Sequence, residues 1–225
     1  MRFAVHQPNY VPWLGYFAKM ALVDTFVFLD DVQMPQGRSY VHRTRIRQQD
    51  EARWLSIPCR RNSDSTIAEV EFADEPWALK HQRGLQTVYG RAPYFSEVMA
   101  LLQPYYEDHG RYLAAFNMNL IGAIARYLGL EATLLRSSEM VTSGTGDERI
   151  AEIGTQIGAK TYVSGAGGEN YQAESTYRAT GISLEVRSYS PKPYEQAQGA
   201  FVGGLSVLDA LMNLGPEAAA QARYA

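Results

Sequence analysis

Two short apolar runs, Phe3-Ala4-Val5 and Thr25-Phe26-Val27-Phe28-Leu29, bracket a polar, aromatic loop and one amphipathic stretch, Tyr16 to Leu22. That order leaves few folds open. Periodicity reads it as strand, loop, short helix, strand. The loop His6-Gln7-Pro8-Asn9-Tyr10-Val11-Pro12-Trp13-Leu14-Gly15-Tyr16 crowds hydrogen-bonding and aromatic groups at the C-terminal end of the first strand, and the second strand runs into Asp30-Asp31. Open α/β sheets bind ligands outside that edge, so the segment predicts a parallel sheet with a site at its rim.

The C-terminal half repeats the alternation. Ala132 to Leu135 reads as a strand ending at Arg136-Ser137-Ser138. Thr145-Gly146-Asp147-Glu148 offers a capping box for a helix ending near Gly158. Thr161-Tyr162-Val163 is the next strand and runs into Ser164-Gly165-Ala166-Gly167-Gly168; Asn170 is placed to cap a helix closed by Gly181. Ile182 to Val186 is another strand, and Ser206-x-x-Asp209 starts a helix bounded by Gly215-Pro216. Strand–helix–strand units with short turns imply right-handed crossovers and a mainly parallel, Rossmann-like sheet. Residues 76–128 read as a helical insertion, with breaks near Ala92-Pro93 and Gln103-Pro104 and a stop at Gly129. Ile67 to Phe72 reads as a further strand. No repeat, linker or low-complexity tract interrupts the chain, so residues 1–225 are expected to form a single α/β domain.

Composition narrows the function classes. The net charge of −3 argues against general affinity for nucleic acid. One cysteine, Cys59, excludes an internal disulfide framework and a cysteine-rich metal site. His42 and His109 have no metal-like spacing to Cys or His, so no zinc site is expected. The opening goes directly into a strand pattern, and no apolar run is long enough to span a bilayer; the expectation is a cytoplasmic protein.

Several residues could carry chemistry. His6 titrates near neutrality and can act as a general base or donate to a phosphate. In extended chain His6, Pro8 and Tyr10 share one side and Gln7 and Asn9 the other; turning at Pro8 and Pro12 would bring both sets to one pocket. Asp30 and Asp31 could serve the reaction or hold a hard cation such as Mg²⁺; equally, they could pair with Arg43 or Arg45. Seven arginines fall between Arg38 and Arg61. Their planar forks suit the diphosphate of a nucleotide sugar, a phosphopantetheine or a partner's acidic helix, or they protect a solvated strand edge. The Ser164–Gly168 turn before a helix is an anion-site candidate. Ser164 lacks a nucleophile elbow, and Cys59 has no nearby His. Lys80-His81 reads as an exposed helix face. Tyr194 and Gln196, in a Pro-rich loop, either close over a ligand or tie down the C-terminal segment.

The run from His6 to Phe17 with Lys19 closely resembles the opening of the WbqC-like proteins of bacteria. So do Leu29-Asp30-Asp31-Val32-Gln33, Arg43-x-Arg45-Ile46, Tyr162-Val163-Ser164-Gly165, and Tyr194-x-Gln196 with Leu205-Ser206-Val207-Leu208-Asp209. The resemblance implies a place in bacterial surface-polysaccharide (O-antigen) or specialised-metabolite biosynthesis, and transfer of an acyl or aminoacyl group to an amine of a small molecule or sugar nucleotide. His6, Asp30 and Asp31 would then be catalytic. Gln7, Asn9, Tyr10, Trp13, Tyr16, Lys19, Arg43, Arg45, Ser164, Gly165, Tyr194 and Gln196 would bind substrate.

A weaker likeness is to nucleotidyl-transferring enzymes of the HIGH-motif type, pantothenate synthetase among them. Here no second His follows His6 in the loop. The cofactor therefore stays open between ATP with Mg²⁺ and a donor held on coenzyme A or a carrier. A carrier protein and an aminoacyl-tRNA both remain open as donors. The competing classes are a non-catalytic nucleotide-sugar or carrier-binding protein and an ATP-dependent amide ligase.

Overall fold

The three central strands of a five-stranded sheet are buried on both faces, which is why they read as apolar runs rather than as alternating ones. The computed structural model describes residues 1–37, 39–168, 172–197 and 199–223. The strands are β1 (Arg2–His6), β2 (Thr25–Phe28), β7 (Thr133–Arg136), β8 (Thr161–Gly165) and β9 (Ser183–Arg187). They form one sheet in the order β7-β2-β1-β8-β9, and every pairing in it is parallel. Counted along the chain this is 3-2-1-4-5, the doubly wound order that reverses beside the first strand.

The faces follow the two-residue period of a strand. Phe3, Val5, Val27 and Tyr162 pack with α5 (Gly146–Gln156) and α6 (Glu174–Ala179). Ala4, Phe26, Phe28 and Val163 face the larger core. There they meet α1 (Leu14–Met20), α7 (Val207–Leu214) and the insertion helices α2 (Trp77–Tyr89), α3 (Phe95–Glu107) and α4 (Leu113–Tyr127). Fully burying one Phe or Leu side chain contributes about 1.5–3 kcal/mol, so the double-faced core is the main source of stability. Two antiparallel ribbons lie outside the sheet: β3 (Arg43–Gln48) with β4 (Glu51–Ser56), and β5 (Cys59–Arg60) with β6 (Glu71–Phe72). Among the described residues no helix is long and apolar enough to cross a membrane.

Local expectations differ from the structure at five places. Pro104 does not break α3; it lies in the last turns, and buried Val98, Leu102 and Tyr106 hold the helix against the core. Residues 67–69 form a 3-10 turn, because Thr66 and Glu69 make a reciprocal capping box that curls the chain before β6. Thr145 stands at the N-cap of α5, yet its side chain makes no capping bond. The donors of Ser143 and Gly144 go instead to Glu152. Asn170 lies outside the described residues, and α6 starts after Ala173.

His81 is the fifth. It is 3% exposed rather than on a solvated face. Its Nε2–H donates to the Ser56 carbonyl at 3.0 Å, while Nδ1 accepts from the Tyr10 hydroxyl at 2.9 Å. Tyr106 completes the chain with a 2.6 Å bond to Tyr10. Burial, the largest cause, lowers the His81 pKa to about 4; His42 and His6 are lowered in the same direction, also mainly by burial. A histidine that is neutral when folded takes up a proton on unfolding once the pH is below about 6.5. Stability is therefore complete above pH 6.5 and falls as the pH drops toward 4. His81 alone accounts for about 3 kcal/mol by pH 4. Urea midpoints measured from pH 7.5 to 4.5 should fall steadily below 6.5, and His81→Gln should remove about one proton from the slope. A flat wild-type profile between pH 6.5 and 5 would refute this.

Candidate active site

The ladder between β1 and β8 covers only Arg2–Thr161 and Phe3–Tyr162, whereas β1 and β2 stay paired as far as His6–Phe28. Beyond Phe3 the two central strands part, at the point where the strand order reverses. Such a crevice is the expected ligand position in an open α/β sheet. A cavity of about 580 Å³ fills it, within the usual range for small-molecule sites. Its walls come from the end of β1 and from α1 (His6, Trp13, Tyr16, Lys19), from the end of β8 (Ser164 to Gly167), and from the segment after β9 (Tyr189, Tyr194, Phe201). The described residues of the segment 188–206 contain no helix or strand, and they cover the crevice. A structureless stretch of this length in a compact fold is usually functional.

His6 is oriented by its own loop. Nδ1 lies 3.2 Å from the Gln7 carbonyl, so it carries the hydrogen and leaves the Nε2 lone pair free. The Tyr16 and Trp13 rings stand 4.7 and 5.8 Å from the imidazole. Burial, then the Lys19 charge, keep its pKa well below the ordinary value, so the imidazole is neutral at pH 7. Lys19 is 6% exposed. Its Nζ donates to the Val5 carbonyl at 3.1 Å, and burial lowers its pKa to about 7. It is a titrating amine on the cavity wall, about half protonated at pH 7, without a carboxylate partner among the described residues.

The glycines have distinct uses. A Cβ on Gly15 would lie 2.7 Å from the Tyr189 ring, so only glycine lets that ring pack on the start of α1. On Gly165 and Gly167 a Cβ would meet no atom within 4 Å. Their backbone stands bare to the cavity they line.

The opening motif therefore divides. His6, Trp13, Tyr16 and Lys19 reach the cavity, as do Ser164, Gly165 and Tyr194. Asn9 and Tyr10 are buried away from it. Gln7 contributes its backbone carbonyl, which also accepts from the Tyr16 hydroxyl at 3.1 Å. Asn117 on α4 donates to the Pro8 and Val41 carbonyls, and Thr44 and Ser206 both donate to the Val11 carbonyl. These bonds hold Val11 at a φ of 31°, a strained value for a β-branched residue.

Gln196 is 7% exposed. Together with the Tyr194 hydroxyl it donates to buried Asp209, each at 2.7 Å, which ties the covering segment to α7. Burial pushes the Asp209 pKa up. Arg43 and Arg45 lie on the β3–β4 ribbon outside the cavity; Arg38 lies outside the described residues. Asp30 and Asp31 also stand apart from it, bonded to Arg136, Ser137, Ser138 and Arg149. Burial raises the Cys59 thiol to about 12, which makes it inert. Tyr162 also lines the cavity, at the head of its motif, and so do Arg187, Tyr189 and Phe201, which carry none; the position of Arg187 at a strand end on the same edge is the signal that could have found it.

The WbqC-like protein family matches over residues 7–221. The chain belongs to the WbqC-like family. It is 33% identical over 227 residues to the uncharacterized protein Rv1507c of Mycobacterium tuberculosis (strain ATCC 25618 / H37Rv), covering 99% of this chain and 98% of that protein. No solved structure matches. The WbqC-like opening motif thus serves both fold and cavity, with alternate stretches assigned to each.

Proposed function

We propose that this WbqC-like protein transfers an acyl or aminoacyl group to the amine of a small molecule or sugar nucleotide, in bacterial surface-polysaccharide or specialised-metabolite biosynthesis. The observation that carries this reading is a neutral His6 with a free Nε2 in a covered, aromatic-lined cavity, beside the buried amine of Lys19. The acceptor amine attacks the donor's acyl carbon, and His6 Nε2 takes the proton that the nitrogen loses as the C–N bond forms. Lys19 and the bare backbone at Gly165 and Gly167 are the cavity's candidates to stabilise the oxyanion. Collapse breaks the bond from the acyl carbon to the donor's sulfur or oxygen, and His6 returns the proton to that leaving group. The buried rings exclude water that would otherwise hydrolyse the donor.

The test is a mass-spectrometric assay for amide product, with acetyl-coenzyme A, an acylated carrier, or ATP–Mg²⁺ plus an amino acid as donors, and a nucleotide-linked amino sugar as acceptor. An acyl mass increment on the amine is expected. Binding without turnover under every donor would favour a non-catalytic binding protein instead. Gly165→Ala supplies the control. Its Cβ meets no protein atom within 4 Å, so melting should stay within a few degrees while turnover falls at least tenfold. Wild-type turnover in Gly165→Ala would show that the ligand does not use this wall.

A further inference from the structure

A row of rings leads out of the cavity onto the β3–β4 ribbon. Trp13 lines the cavity; Tyr40 lies 5.2 Å from it, and Trp54 lies 5.3 Å beyond Tyr40, between ring centroids. Trp54 is 41% exposed and Tyr40 36%, so the two rings present adjoining aromatic surface to solvent. Trp54 is paired with Arg45 across the ribbon, and the Arg43 guanidinium lies over its ring at 3.9 Å. The Arg43 Nε is buried and has no hydrogen-bond partner. Neither arginine has an ion pair among the described residues. Arg45 meets the cavity wall directly: a Cβ on cavity-lining Gly204 would sit 3.5 Å from its Nη1. Arg47, next on the same face, is already bound to Gln196 and the Ala200 carbonyl.

A guanidinium stacked on an indole keeps its in-plane N–H groups free, and that fork matches two phosphate oxygens. Exposed rings beside unneutralised arginines suit a ligand that has both a planar base and a phosphate. We propose that Tyr40, Trp54, Arg43 and Arg45 form an outer subsite for the nucleoside-diphosphate portion of a small-molecule substrate whose other end enters the cavity past Trp13. Only the identity of the group inside the cavity rests on the transfer reading. The strip is short and the chain carries a net charge of −3, so a small nucleotide fits better than a polynucleotide track, which needs many phosphate contacts.

Calorimetric titration with UDP, ADP, inorganic diphosphate and a short single-stranded oligonucleotide tests the assignment on the wild type, Arg43→Gln, Trp54→Ala, Trp54→Phe and His6→Ala. UDP or ADP should bind the wild type. Arg43→Gln and Trp54→Ala should each weaken binding at least fivefold with melting unchanged. Trp54→Phe should recover part of the loss, and His6→Ala should bind within twofold of wild type. Three results overturn the subsite: no binding of either nucleotide, wild-type affinity in both Arg43→Gln and Trp54→Ala, or an oligonucleotide that binds far more tightly than both. A protein that binds UDP or ADP through Arg43 yet transfers nothing would remove the transfer reading and leave the subsite standing.

Discussion

Replacing His6 with alanine should lower turnover by about 10²- to 10⁴-fold, the usual worth of a positioned general base, while the protein stays folded. The imidazole is half-buried, its one hydrogen bond among the described residues is to the Gln7 carbonyl beside it, and its packed ring neighbours are Tyr16 and Trp13. The pH profile adds a readout that a merely structural role would not give. Base catalysis needs the neutral ring, and its pKa lies well below 6.5. The acid limb of kcat/KM should therefore fall below pH 6.5. Lys19 contributes to that lowering through its charge, so Lys19→Met should move the acid limb upward. If His6→Ala keeps more than a tenth of wild-type turnover, or if the limb stays fixed when Lys19 is lost, His6 is not the base.

Much of this site can be read along the chain because its parts are local. The strand β1, the aromatic loop, α1 and the turn after β8 each announce themselves by period and composition. The rule that parallel strands share a ligand edge then brings His6 and Ser164-Gly165 together. How the loop divides its side chains is not legible. Strict alternation would send Tyr10 to the same side as His6. Val11 at a φ of 31° and the clamps from Asn117, Thr44 and Ser206 turn the chain instead, so that Tyr10 enters the insertion core. Those partners lie 33 to 195 residues away in sequence, and no local pattern encodes them. The covering segment, residues 188–206, has no period at all; Tyr194 is reached only through the Tyr194-x-Gln196 motif, and Tyr189 and Phe201 are visible only as composition. His81 reads as surface because its neighbour Lys80 carries a polar, exposed side chain; its partners, Ser56 and Tyr10, come from two other segments, and Tyr106 behind Tyr10 from a third.

Asp30 illustrates the same limit and yields the larger stability effect. Its strand-end position beside Asp31 invites a chemical role, and the arginines nearby in sequence suggest partners. The structure shows a carboxylate with no exposed surface, gripped from the far side of the chain. Arg136 Nε and Nη2 donate to Oδ2 at 3.0 and 2.9 Å, and the Ser138 backbone N–H donates to Oδ1 at 3.0 Å. The Ser138 hydroxyl adds a 2.8 Å bond. These contacts join the ends of β2 and β7, which pair in parallel as far as Phe28–Arg136. Removing the carboxylate strands the partly buried Ser138 backbone donor and frees the guanidinium of a residue still 41% exposed. A fully buried broken pair costs about 3–5 kcal/mol; because Arg136 can return to water, Asp30→Ala should fall near the lower end. For a chain of this length that corresponds to a melting temperature about 6–12 °C lower. Asp30→Asn, which keeps one acceptor and the size, should lose less. Measured well below its melting point, Asp30→Asn should keep turnover within tenfold of wild type, because the carboxylate lies outside the cavity that holds His6. The opposite pattern, intact melting with turnover reduced a hundredfold or more, would return Asp30 to the chemistry.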